Sequence, residues 1–177
     1  ASNYKFEIRS ELQAAVNLWC NDETKQLALE TFGDINTWDV SKVTDFGYLF
    51  QNKKFFNDDI SSWDVSNGIE FYSMFDGTEE FNQDIGSWDV SNGITFTKMF
   101  DGAEEFNQDI SSWDVSNGKY FQSMFSEAKS FTKDISAWNL TNAVYPDYMF
   151  GSKSIGYTPA AEYIENKYKQ PLFSEDF

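Results

Sequence analysis

Two stretches carry the densest chemistry in the chain. DGTEEFNQD at residues 76–84 recurs as DGAEEFNQD at 101–109. Their carboxylates, Asp76, Glu79, Glu80, Asp101, Glu104 and Glu105, are hard oxygen donors on neighbouring copies of one phrase, the donor type calcium prefers. The spacing is not that of an EF-hand loop. The register also offers a plainer use. Lys54, Glu79, Glu104 and Lys129 fall in one column, so each glutamate meets a lysine on its outer side. Exposed pairs of that kind contribute about 0–1 kcal/mol.

A second acidic column, Asp39, Asp64, Asp89 and Asp114, stands beside Ser41, Ser66, Ser91 and Ser116 in the phrase WDVS. Two readings are open. The column is a polar ligand surface, to which Tyr72 and Tyr120 add aromatic faces, or each aspartate bonds the N–H groups of its own turn. Asp34, Asp59, Asp84, Asp109 and Asp134 form another such column, and Asn67, Asn92, Asn117 and Asn142 form a candidate asparagine ladder.

Catalysis is a poor fit to these residues. Histidine is absent, which removes the commonest general base and zinc ligand, and Cys20 is the only cysteine. Glycoside hydrolysis needs only two carboxylates, but they must sit in different environments to hold different pKa values, and here the carboxylates repeat. No phosphate-cradling loop or serine elbow appears. The sequence reads as a non-enzyme, with calcium the one cofactor its residues suggest.

What must position these side chains is a 25-residue repeat. Trp38, Trp63, Trp88, Trp113 and Trp138 recur at one position, as do Ile35, Ile60, Ile85, Ile110 and Ile135, and Phe50, Phe75, Phe100, Phe125 and Phe150. Phe46, Phe71, Phe96 and Phe121 hold a further column that stops at Pro146. In SWDVS (87–91) the alternation has period two, which predicts a short strand. Phe96, Met99 and Phe100 at i, i+3 and i+4 then predict a helical turn. The expected fold is a repeat solenoid, leucine-rich-repeat-like and of α/β class: one short parallel strand and one helical turn per coil, about five coils.

Such a stack needs caps. Residues 1–33 predict a helical N-terminal cap, with Ser10–Gln13 as a capping box, Leu12, Ala15, Val16 and Trp19 on one helical face, and a second helix from about Glu23 to Thr31. Residues 34–155 are the five-coil body, and 156–177 a C-terminal cap and tail, with a short helix opening at Thr158-Pro159 and Leu172 and Phe173 available to pack on the last coil. Parity settles the tryptophans. Trp88 shares its side with Val90, so an outward indole would turn the aspartate column inward, at several kcal/mol for each unpaired charge. The tryptophans are core.

The formal charge is −16, from 29 Asp and Glu against 13 Lys and Arg, which argues against nucleic acid and anionic membrane partners. No apolar run approaches the roughly 18 residues of a membrane helix. With 18 Phe and 6 Trp the chain reads as a folded body with a strongly solvated surface.

FNQDISSWDVSN, followed by MF and a small residue, resembles the BspA-type leucine-rich-repeat surface proteins, including their mycoplasma lipoprotein-like 25-residue repeats. So does the lead-in LQAAVNLWCNDETK…TFGDINTWDVSKVTDF, and the resemblance covers about residues 10–155. That family usually continues WDVS with N-V-T-x-M. Here Val43 keeps the valine and Gly68, Gly93 and Gly118 replace it, which permits a left-handed turn at that corner that valine would resist. The resemblance implies an extracellular, cell-surface or virion-surface protein used for adhesion or recognition. The expected function is therefore binding of a protein partner, with a carbohydrate-binding module or a structural spacer as alternatives. Specificity would lie in the positions that vary between copies: Glu70, Tyr72, Thr95, Thr97, Lys98, Lys119, Tyr120 and Gln122, or the outer strand face.

Overall fold

The structure, a computed structural model, describes residues 3–144 and 149–151. The expected C-terminal cap and the stop at Pro146 lie outside the described residues. Among them are two helices, α1 (Arg9–Trp19) and α2 (Lys25–Phe32), and one 3-10 turn, Ile35–Thr37. None of the helices is long and apolar enough to cross a membrane.

The strand-and-helix solenoid expected from the repeat does not form. The described residues contain no β-strand, only isolated parallel bridges, and the repeats are built almost entirely of turns and loops. The WDVS segment forms no strand: Asp89 Oδ1 accepts from the Ser91 N–H at 3.0 Å and the Gly93 N–H closes on the Val90 carbonyl at 2.8 Å, so the chain turns straight after Val90. Trp88 and Val90 are still both buried, on the inward side that a pleat would have chosen. The Phe96–Phe100 segment is not a helical turn either. Lys98 adopts φ 56°, as do its column mates Tyr48, Ser73 and Ser123 within a few degrees, and one left-handed residue ends α-helical propagation.

Successive repeats still lie on one another in register. Phe71, Ser73, Phe75 and Gly77 each donate their N–H to the carbonyl 24 residues on, in Thr95, Thr97, Met99 and Asp101, at 2.7–2.9 Å. The neighbouring pair of repeats does the same from Phe96, Lys98, Phe100 and Gly102. The bridges Asp45–Glu70, Glu70–Thr95 and Thr95–Tyr120 belong to this side of the coil. A ladder therefore joins the coils, one side away from where alternation placed a strand.

Inside, phenylalanines stack at the coil repeat. Phe50, Phe75, Phe100, Phe125 and Phe150 follow one another at 5.5–5.7 Å with near-parallel rings, and Phe56, Phe81, Phe106 and Phe131 at 5.9–6.0 Å. Within a coil the two columns touch, as between Phe75 and Phe81 at 4.0 Å. Offset ring pairs each add about 0.5–1.5 kcal/mol beyond burial, so the interlocked columns hold the coils in register. The tryptophans are buried, and Trp63, Trp88, Trp113 and Trp138 each donate Nε1–H to the isoleucine carbonyl 28 residues back at 2.8–3.2 Å.

The N-terminal segment closes the first coil. Tyr4 and Phe6 pair with Asp39, and Tyr4, Phe6, Phe32 and Trp38 form an aromatic cluster. Helix α1 buries Leu12, Ala15, Val16 and Trp19, while Arg9 donates to the Gly47 carbonyl and Gln13 to the Leu49 carbonyl at 3.0 Å. These two side chains satisfy carbonyls that a preceding coil would otherwise cover. The expected capping box is absent: the N-cap is Ile8, and Ser10 lies within the helix. Gly33, at φ 76°, ends α2 with a positive φ that favours glycine.

Candidate functional site

Most of the repeated polar side chains are consumed by the frame. In Asp39, Asp64, Asp89 and Asp114, Oδ1 accepts the N–H of the serine two residues on at 3.0 Å and its hydroxyl at 2.6 Å. Ser41, Ser66, Ser91 and Ser116 are those partners. The Ser hydroxyl, then the Ser N–H, hold the Asp39, Asp89 and Asp114 carboxyls below the ordinary aspartate value. The second column works alike: Asp59, Asp84, Asp109 and Asp134 accept from the N–H two residues on at 2.8–3.0 Å. Asn67, Asn92, Asn117 and Asn142 each donate Nδ2–H to the serine carbonyl 26 residues back, at 2.7–2.8 Å, forming the ladder the sequence suggested. Another ladder was not foreseen. Asn57, Asn82 and Asn107 each accept through Oδ1 from the backbone N–H of residues 82, 107 and 132.

The six carboxylates of the two DG-EE phrases do not converge on one point. Lys54 holds Glu79 at 2.9 Å and Lys129 holds Glu104 at 2.7 Å, the pairing their register predicts. Asp76 accepts from Gln51 at 3.1 Å, and Asp101 stands 3.7 Å from Lys98. Burial first, then the Asp76 charge, push the Asp101 carboxyl up. Glu80 and Glu105 are exposed. Among the described residues no group of three or more His, Cys, Asp or Glu is placed to hold a metal ion.

Tyr72 and Tyr120 are not brought together; they lie two coils apart in different columns. Tyr72 packs edge-on against Tyr48 at 4.8 Å and covers Gly47, where an added Cβ would stand 2.3 Å from its ring. Tyr120 is exposed, beside its bridge to Thr95.

The surface feature that spans coils is a groove of about 740 Å³ running along the stack. One wall is Lys42, Asn67, Asn92 and Asn117; the other is Thr44, Ile69, Ile94 and Lys119. Between the walls run the buried Gly68, Gly93 and Gly118. The left-handed turn that glycine permits is not used at these positions, since none of the three has positive φ. Glycine is required for space instead. A Cβ on Gly93 would lie 2.4 Å from the Phe96 ring and 2.9 Å from the Val90 carbonyl, and Gly68 and Gly118 are as tight. The chain is drawn in against the phenylalanine column, leaving the residues on either side as walls. A second cavity, about 700 Å³, lies between α1 and the first coil beside Trp19, Cys20, Lys25, Phe55 and Asp58. Burial pushes the Cys20 thiol up to about 12, which leaves almost no thiolate at neutral pH.

The family described as "Mycoplasma protein of unknown function, DUF285" matches residues 20–117 and again residues 70–158. The chain belongs to this family. The two matches begin 50 residues apart (70 − 20), two repeat lengths, so the same repeated unit is what they recognise. No curated protein and no solved structure gives a match. In this DUF285 chain most residues with signature-like repetition are structural; the sequence reading named Asn67, Asn92, Asn117 and Lys119 but passed over the groove they line and its Lys42, Thr44, Ile69 and Ile94. A signal for it was present: N-G-I at 67–69 and 92–94 puts an amide and an isoleucine either side of a glycine on an otherwise acidic surface.

Proposed function

We propose that this chain is a non-enzymatic recognition module that binds a protein partner at an extracellular, cell or virion surface. The observation that carries the reading is a division of labour between columns. Identical positions such as the Trp, Phe, Asp-x-Ser and Asn columns are spent on turns, ladders and stacking. The exposed or half-buried positions differ from coil to coil: Asp45, Glu70, Thr95 and Tyr120 in one column, Tyr72, Thr97 and Gln122 in the next. A scaffold with a fixed interior and variable surface columns is the arrangement by which repeat proteins acquire specificity. The resemblance of the repeat to BspA-type surface proteins supports the same reading. Absence of histidine and the uniform environments of the Asp-x-Ser carboxylates argue for binding over catalysis.

The test is binding of the purified chain to a panel of extracellular-matrix proteins, and to a glycan array in calcium and again in EDTA. A protein ligand whose affinity falls at least about tenfold on changing Thr95→Arg or Tyr120→Ala supports the reading. Binding confined to one glycan class and lost in EDTA would replace it with a calcium-dependent carbohydrate-binding role. Protein binding indifferent to every exposed column would sink it.

A further inference from the structure

We infer that the groove between the asparagine and isoleucine walls takes an extended acidic segment of the partner protein, with two carboxylates about four residues apart. This rests on the protein-recognition reading and specifies its site. Charge points there first. The chain carries 29 Asp and Glu, yet no carboxylate lines this groove, and Lys42 and Lys119 do. Both lysines are exposed, and among the described residues neither is ion-paired. Asp39, which the Lys42 charge reaches, already spends its Oδ1 on Ser41.

The rest of the lining suits a peptide backbone. Asn67, Asn92 and Asn117 each use one Nδ2–H on the neighbouring coil. Their amide oxygens have no protein partner among the described residues, so they stand as acceptors for N–H groups. Ile69 and Ile94 form an apolar strip opposite them, suited to alternate side chains of an extended chain.

Lys42 belongs to the first coil and Lys119 to the fourth, three coil steps apart. At about 4.8 Å per step their backbone positions stand about 14 Å apart along the stack, the reach of about four extended residues. Carboxylates at that spacing match the two lysines better than adjacent ones.

Fluorescence anisotropy with the intact chain tests this. The probe is a labelled, end-blocked peptide with two aspartates four positions apart and valine, threonine and valine between them. Controls carry the aspartates side by side, or asparagines in their place, and an unlabelled oligouronate serves as competitor. The spaced peptide should bind at least about fivefold more tightly than either peptide control. Lys42→Ala and Lys119→Ala should each weaken it about two- to fivefold, the range of an exposed ion pair, while Lys129→Ala on the acidic columns should not. Both groove lysines are exposed, so these variants retain the fold. Peptide binding that survives both substitutions, or ignores aspartate spacing, overturns the groove assignment and leaves the recognition role standing. No peptide binding, together with oligouronate binding lost in Lys119→Ala, overturns the peptide occupant and the protein-partner reading together.

Discussion

Replacing Trp113 by phenylalanine probes the contact that ties one coil to the previous one. Trp113 Nε1–H donates to the Ile85 carbonyl at 3.0 Å, and its ring lies 6.3 Å from Phe100 and 6.4 Å from Trp138. The Ile85 carbonyl also accepts from the Trp88 N–H at 3.1 Å. Phenylalanine therefore removes one of two bonds to that oxygen and does not orphan it, a loss of about 0.5–1.5 kcal/mol. The phenyl group also lacks two carbons of the buried indole, worth about 1–2 kcal/mol. The sum is about 1.5–3.5 kcal/mol. Guanidinium titration followed by near-ultraviolet circular dichroism gives the difference, provided the slope with denaturant is unchanged. A loss below about 0.5 kcal/mol would refute the reasoning, because the indole would then be neither an inter-coil tie nor closely packed.

Three further outcomes follow from the geometry. Gly93→Ala should cost about 1–3 kcal/mol in the same titration by forcing the Phe96 ring out of its column, and Phe96→Leu in the same chain should recover part of that loss. The carboxyls of Asp39, Asp59, Asp89, Asp109, Asp114 and Asp134 are held below their unfolded value of about 3.8, chiefly by the serine two residues on. Their contribution is present above that value and lost as pH falls through the folded values, so the melting temperature should be level above about pH 5 and drop below about pH 4. Asp101 has the opposite sign: its carboxyl is raised by burial and by Asp76, so its stabilising protonated form is lost as pH rises. Asp101→Asn should raise the melting temperature at pH 7, with the gain vanishing in acid; an unchanged or lowered value at pH 7 would contradict the burial account.

Some of this was legible in the residues. The inward tryptophans followed from parity, and that argument survives the loss of the strand on which it was built. It asked only that Trp88 and Val90 share a side opposite Asp89, and an Asp-x-Ser turn satisfies this as well as a pleat does. The Lys54–Glu79 and Lys129–Glu104 pairs and the asparagine ladder followed from register, because stacked copies place equal positions beside one another. Backbone conformation was not legible in the same way. Lys98 and Ser73 carry nothing in their side chains that announces a left-handed φ, and they adopt it because the inter-coil ladder constrains both sides of the turn. The glycines at 68, 93 and 118 announced something special without its cause, which is the volume of a neighbouring ring and not handedness.

By itself, then, the sequence determined the period, the columns, the sign of the surface charge and which side chains face inward, since a repeat of 25 residues with one apolar pattern has one way to bury it. Tertiary structure decided the rest. Whether WDVS continues as a strand or ends in a turn depends on whether its aspartate bonds its own serine or leaves the N–H for a neighbour. Whether Lys42 and Lys119 belong to one feature depends on how far the chain is drawn in at three glycines that lie between them. Those choices are made by contacts between residues 24 to 28 apart, which neither alternation nor helical spacing within one copy encodes.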